Sequence, residues 1–162
     1  DYTMKKFFGL LLISCWGLFA FAQQTENYVE VMRTALNAEK KALIAEAMTF
    51  TTEEADLFWP LYNEYQNTLY TTNTKYLNIV NEFAANFENM TDLVATDLMK
   101  RINSYDAEVI KLRKTYIKKF SKILPPTKVL RYFQAENKID VLVDYEMAGF
   151  IPLIEVELKI DE

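Results

Sequence analysis

The sequence predicts an all-α fold, with four helices in two antiparallel hairpins and long second and third helices. Three observations predict it. Apolar residues recur at threes, fours and sevens over most of residues 26–148. Only one glycine, Gly149, lies beyond residue 22, which leaves few sharp turns for a β-fold and none of the loops that cradle phosphates. The third observation is a repeated helix start. Ile123–Lys138, ILPPTKVLRYFQAENK, is a weaker copy of Phe50–Tyr65, FTTEEADLFWPLYNEY. Phe50 aligns with Leu124, Thr51 with Pro125, Glu54 with Lys128, and Phe58-Trp59 with Tyr132-Phe133. Two related helix starts imply two related helical hairpins.

The chain begins with the pattern of a secretory signal peptide. Lys5 and Lys6 precede an apolar run from Phe7 to Phe19, and Ala20-Phe21-Ala22 gives a small-x-small cleavage signal before Gln23. The run is short for a membrane span. An alternative reading takes Leu12-Ile13-Ser14-Cys15 as a lipobox with Cys15 lipidated. Residues 1–22 are thus expected to be removed, 23–148 to form one helical domain, and 149–162 an extended tail.

The first helix is predicted over residues 26–47, where Tyr28, Val31, Met32, Ala35, Leu36, Ala42, Leu43 and Met48 mark one face. The second begins at Thr51 or Thr52. Thr51 and Glu54 stand at capping-box spacing, and Glu53, Glu54 and Asp56 place negative charge where the helix dipole favours it. Phe58, Tyr62, Tyr65, Leu69, Tyr76, Val80, Phe83 and Phe87 then recur as a seam, carrying the helix to about Asn86. Pro60 removes one backbone bond within it, so a bend near residues 56–60 is expected, without a break. Asn86–Thr91 is a turn, with Thr91 capping the third helix.

The third helix shows the cleanest stripe: Leu98, Ile102, Tyr105, Val109, Leu112, Tyr116 and Ile123, widened by Ile110, Ile117 and Phe120. Pro125-Pro126 ends it. Pro126 suits the first turn of a fourth helix, which runs to about Ala148 with Val129, Leu130, Phe133, Ile139, Leu142, Val143 and Met147 as its apolar face. Gly149 is a candidate stop in the C′ position, with Pro152 shortly after. Phe150–Leu158 alternates like a short strand or extended arm. It is expected to pack on the helices or on another copy, or to be disordered. Periodicity alone equally allows a compact four-helix bundle.

Charge is strongly segregated. Residues 23–99 carry 4 basic and 12 acidic groups, residues 100–131 carry 10 and 2, and residues 132–162 carry 2 and 8. Lys111, Lys114, Lys118 and Lys122 share one side of the third helix. Such a stripe is either a solvated face paired with acidic neighbours or a surface that attracts acidic or unfolded chains. The net charge of residues 23–162 is −6, which argues against nucleic acid as a partner. There is no His, and the one Cys is Cys15, so residues 23–162 offer no imidazole base, thiol nucleophile or thiolate metal site. No catalytic, cofactor-binding or metal-ligating residues are assigned, and no enzyme activity is expected.

The paired motifs resemble the Spy/CpxP family of periplasmic proteins, known for an LTxxQ motif that often occurs twice. Here the first motif reads Phe50-Thr51-Thr52-Glu53-Glu54 and the second Leu124-Pro125-Pro126-Thr127-Lys128, so Phe50, Thr51, Glu54, Leu124, Pro125 and Lys128 are the motif residues. Only Thr51 and Leu124 match literally. The resemblance implies a thin helical layer that pairs into a cradle-shaped homodimer in the periplasm. It also implies ATP-independent binding of unfolded or misfolded polypeptides, or alternatively docking on the sensor domain of an envelope-stress kinase. For client binding the candidate residues are Lys111, Lys114, Lys118 and Lys122 together with the aromatic residues Trp59 and Tyr62. Separately, Glu136 in the second motif is expected to pair with Arg113 or Lys114 as a structural ion pair.

Overall fold

The computed structural model describes residues 31, 33–149 and 151–154, which fall into two compact units divided between Ala47 and Met48. The predicted signal peptide and the start of the first expected helix lie outside the described residues. The first unit holds helix α1 over residues 33–47, a stretch rich in alanine, the strongest helix former.

The second unit contains α2 (Thr52–Asn86), a single 3₁₀ turn (Phe87–Asn89), α3 (Asp92–Phe120) and α4 (Pro126–Ala148). Both predicted caps are present. Thr51 Oγ1 accepts from the Glu54 amide at 3.2 Å, and Glu54 Oε2 accepts from the Thr51 amide at 2.9 Å, which completes the capping box. Thr91 Oγ1 accepts from Val94 N at 3.3 Å and starts α3. α2 continues through Pro60 unbroken. α3 stops at Phe120, short of Pro125, in a turn where Leu124 N bonds back to Phe120 O. Gly149 caps α4 with φ −66° and so remains in the right-handed region, not in the left-handed C′ conformation expected for it. Among the tail residues, 151–154 are not in a strand, while Phe150 and 155–162 lie outside the described residues.

Three ion pairs fix the register of α2 against α3. Glu64 pairs with Lys119 at 2.6 Å, Lys75 with Glu108 at 2.6 Å, and Glu82 with Arg101. Eleven and then seven residues along α2 match the same steps backward along α3, so the two helices are antiparallel. Steps of eleven and seven both return to one helix face, so the pairs form a ladder along one edge. The sign alternates from rung to rung. A register slip would therefore bring like charges together.

α4 runs parallel to α2. The two motifs meet at aligned positions: Glu54 pairs with Lys128, and Phe58 packs edge-on against Tyr132 with ring centroids 5.1 Å apart. Lys128 Nζ also donates to Thr49 O at 2.8 Å, tying the chain before α2 to the first turn of α4.

The core is aromatic. Phe58, Tyr62, Tyr65, Tyr116, Phe120, Tyr132 and Phe133 are all buried. Phe120 is its hub, with ring centroids 4.8 Å from Tyr132, 5.3 Å from Phe58 and 5.9 Å from Phe133. Edge-to-face and tilted pairs of this kind add about 0.5–1.5 kcal/mol each beyond area burial.

The seams differ from expectation in three places. Beyond Leu69 the buried residues of α2 are Thr72 and Ile79, not Tyr76, Val80 and Phe83. On α3 the widening residues Ile110 and Ile117 point outward. On α4, Tyr132 and Glu136 turn inward while Leu130, Leu142 and Met147 are exposed. In each case the apolar stripe is wider than the neighbouring helix covers, and side-chain fit decides which flank is buried.

Candidate functional site

The residues singled out for binding separate into two places. Tyr62 is a correction: it is 2% exposed, packed among Phe58, Trp59 and Tyr132, and belongs to the core. Trp59 is half-buried on α2, its ring edge-on to Phe58 and Tyr62. Neither joins the lysines in a shared basic and aromatic surface.

Three of the four lysines, Lys111, Lys114 and Lys118, lie on one side of α3, and Lys122 stands in the turn that follows it. Lys111, Lys114, Lys118 and Lys122 are exposed, and none forms an ion pair with another described residue. The reason lies in the register. The α2 carboxylate that reaches α3 in this region, Glu64, is held by Lys119 and by the Tyr116 hydroxyl at 2.8 Å. Lys119 also lies 4.5 Å from the Tyr116 ring centroid. Glu108 is held by Lys75. Those groups face α2; Lys114 and Lys118 stand farther round α3, Lys111 lies near enough to Glu108 to help lower its carboxyl pKa, and Lys122 is in the turn after α3.

Ile110, Lys114 and Ile117 are spaced by four and three residues and so form one strip. Ile110 and Ile117 are both exposed. The outer face of α3 thus carries a row of ammonium groups beside an open aliphatic strip. The long lysine stems can lie along apolar surface while their charges stay in water. Chemically, this face offers loose apolar contact and long-range attraction for negative charge.

The second motif holds the other notable group, buried Glu136. Its Oε1 accepts from Gln66 Nε2 at 2.8 Å and from Tyr132 OH at 2.8 Å. The expected pair with Arg113 or Lys114 is not formed. Arg113 donates to Phe133 O at 3.4 Å and stands 5.5 Å from the Phe133 ring centroid, while Lys114 faces solvent. Gln66 was not singled out in the sequence; its spacing from Tyr62 by four residues, on the aromatic side of α2, was the available signal.

This arrangement sets the phenols. Burial, reinforced by the Glu136 charge, pushes the Tyr62, Tyr65 and Tyr132 hydroxyls well above their ordinary range. Tyr105, which bonds Asn73 Oδ1 at 3.0 Å, is pushed up to about 12, by burial first and then by Asp144. On the surface the direction reverses for carboxyls. Hydrogen bonds from Lys128, Lys119 and Lys75 hold Glu54, Glu64 and Glu108 below the usual range.

Among the described residues, no cluster of three or more acidic, His or Cys side chains could hold a metal ion, and no helix is long and apolar enough to cross a membrane. No family model matches the chain, and neither the curated proteins nor the solved structures contain a match to it.

Proposed function

We propose that this is an exported, ATP-independent chaperone-like protein that holds unfolded or misfolded polypeptides on the outer face of α3. The observation that carries the reading is the row Lys111, Lys114, Lys118 and Lys122, without ion-pair partners among the described residues, beside exposed Ile110 and Ile117. Charge speeds encounter with acidic segments, and scattered aliphatic contact tolerates many sequences. The secretory pattern at residues 5–22, the resemblance of the paired motifs to Spy/CpxP proteins and the lack of a glycine-rich phosphate loop in the sequence support the same reading. The revised site keeps the four lysines, adds Ile110 and Ile117, and drops Tyr62 and Trp59, which do not share that surface. A homodimer and a periplasmic location belong to the proposal on the strength of the resemblance.

Aggregation of a reduced, unfolded model protein, followed by light scattering with and without this protein, tests it. Suppression should weaken as salt rises and should be lost in Lys114→Glu/Lys118→Glu. If no excess of protein slows aggregation of any client, the chaperone reading fails. Saturable one-to-one binding to a sensor domain would then decide for the regulatory alternative.

A further inference from the structure

Helix α1 has one side buried and another open. Lys40 and Ile44 are buried, while Leu36 is 41% exposed and Leu43 50%. Glu39 and Glu46 are exposed as well, and neither forms an ion pair with another described residue. Leu36 and Leu43 are seven residues apart, and so are Glu39 and Glu46, so each pair stays on one side over two turns. At about 100° per residue, the glutamates stand about 60° before the leucines around the helix axis. Arg33, Lys40 and Lys41 fall on the other side of the leucines. The open face of α1 is therefore aliphatic and acidic.

The outer face of α3 has the same spacing with the opposite charge. Ile110 and Ile117 are seven residues apart, 54% and 37% exposed. Lys111 and Lys118 are also seven apart, and Lys114 lies between them. No acidic residue occurs from Val109 to Lys122. Here the charges stand after the apolar residues around the axis: Lys114 by about 40° from Ile110, and Lys111 and Lys118 by about 100° from Ile110 and Ile117.

That order selects a direction of packing. In a parallel pair, the flank before the contact line on one helix meets the flank after it on the other, as in the g-to-e pairs of a parallel coiled coil. In an antiparallel pair, like flanks meet. Only the parallel arrangement lays Leu36 and Leu43 on Ile110 and Ile117 while it also sets Glu39 and Glu46 beside the lysines. With Leu36 level with Ile110, Glu39 comes level with residue 113, beside Lys111 and Lys114. Glu46 comes level with residue 120, beside Lys118. Both helices advance about 10.5 Å in seven residues, so the two layers stay in step.

We propose that α1 of one copy packs parallel on the outer face of α3 of a second copy, through these two aliphatic and two charged layers. Both faces are exposed in the single chain, which leaves each open to another copy. Exchanged reciprocally, the two contacts close a dimer. The contact covers the surface assigned above to clients, so self-association and client binding compete. That competition rests on the client-binding reading; the contact itself does not.

Sedimentation velocity of the full chain over a range of concentrations tests the contact. A dimer should form and should weaken as salt rises. Glu39→Lys/Glu46→Lys should weaken it by about tenfold or more, as should Lys114→Glu/Lys118→Glu, because each sets like charges against each other. An equimolar mixture of the two variants should associate again, since the α1 of each then meets opposite charge on the α3 of the other. Neither misfolding nor an α1 held on its own α3 would give that rescue. Carbodiimide coupling of mixed isotope-labelled and unlabelled protein should join Glu39 to Lys111 or Lys114, and Glu46 to Lys118, between chains. Links of Glu39 to Lys118 and of Glu46 to Lys111 would overturn the parallel direction. Links confined within one chain, a chain that stays monomeric at every concentration, or failure of the mixture to associate would overturn the contact. Glu39→Lys/Glu46→Lys leaves the lysines of α3 in place and uncovered. If association behaves as expected but neither the full chain nor this variant slows client aggregation, the contact stands and the client-binding reading falls.

Discussion

Raising the pH from about 8 to about 12 probes the buried phenols at the centre of this fold. In the folded chain Tyr62, Tyr65 and Tyr132 hold their protons far above the ordinary tyrosine range, through burial first and the nearby Glu136 charge second. In the unfolded chain the same groups titrate near about 10. A folded pKa raised above the unfolded value means that the stabilisation is fully present below about pH 10 and is lost as the pH rises beyond it. Each such phenol removes about 1.4 kcal/mol of stability per pH unit, so the three together remove about 4 kcal/mol per unit. Tyr105 adds to the slope until about 12. Against a typical domain stability of about 5–15 kcal/mol, cooperative unfolding is expected one to three units above about pH 10. Tyrosinate absorbance and helical circular dichroism should be followed in one titration. Tyr62, Tyr65 and Tyr132 should ionise only as the helices melt. Tyr132→Phe removes the hydrogen bond to Glu136. It should cost about 1–2 kcal/mol at neutral pH, yet lower the alkaline slope by about a third. A single ionisation step near pH 10 covering all the tyrosines, with helicity unchanged, would refute the buried cluster.

Four further outcomes follow from the structure. Phe120→Ala empties the hub of the aromatic core and should destabilise the chain by about 3–5 kcal/mol in urea melts. Thr51→Ala removes half of the capping box and should cost about 1 kcal/mol by the same measurement, with little change in helicity at low temperature. Acid should destabilise as well. Glu54, Glu64 and Glu108 have folded pKa values depressed chiefly by hydrogen bonds from Lys128, Lys119 and Lys75, so their contribution is present above the unfolded value of about 4.3 and fades as the pH falls through the lower folded values. Thermal melts should show this decline, and Lys119→Met should reduce it. Finally, exchanging Glu64 and Lys119 as Glu64→Lys/Lys119→Glu should leave Tm closer to the original than either single change, because the ladder of opposite charges is kept.

Much of the local structure was legible in the sequence. Thr51 with Glu54 marks the start of α2, Thr91 that of α3 and Pro126 that of α4, because caps and prolines act through backbone groups within a few residues. The end of α3 was less legible. It stops at Phe120, five residues before Pro125, since its last turn closes by bonds from residues 121–124 that a proline rule does not describe. The candidate site was half legible. The lysine row shares a face by spacing alone, but that Lys119 and Lys75 are engaged by Glu64 and Glu108 while Lys111, Lys114, Lys118 and Lys122 are not depends on the register between two helices.

The same division runs through the apolar residues. The sequence by itself determined that this chain forms long helices, where most of them begin, and that each has an apolar side, because those properties depend on neighbours along the chain. Only the tertiary structure decided which flank of a broad apolar side is covered. Tyr132 and Glu136 turn inward together, the tyrosine hydroxyl and Gln66 both donating to Glu136 Oε1, and Phe120 completes the ring cluster. Ile110, Ile117, Leu130 and Val141 are left open because a helix buries only the arc that its partners reach, and a sequence period does not specify where those partners stand.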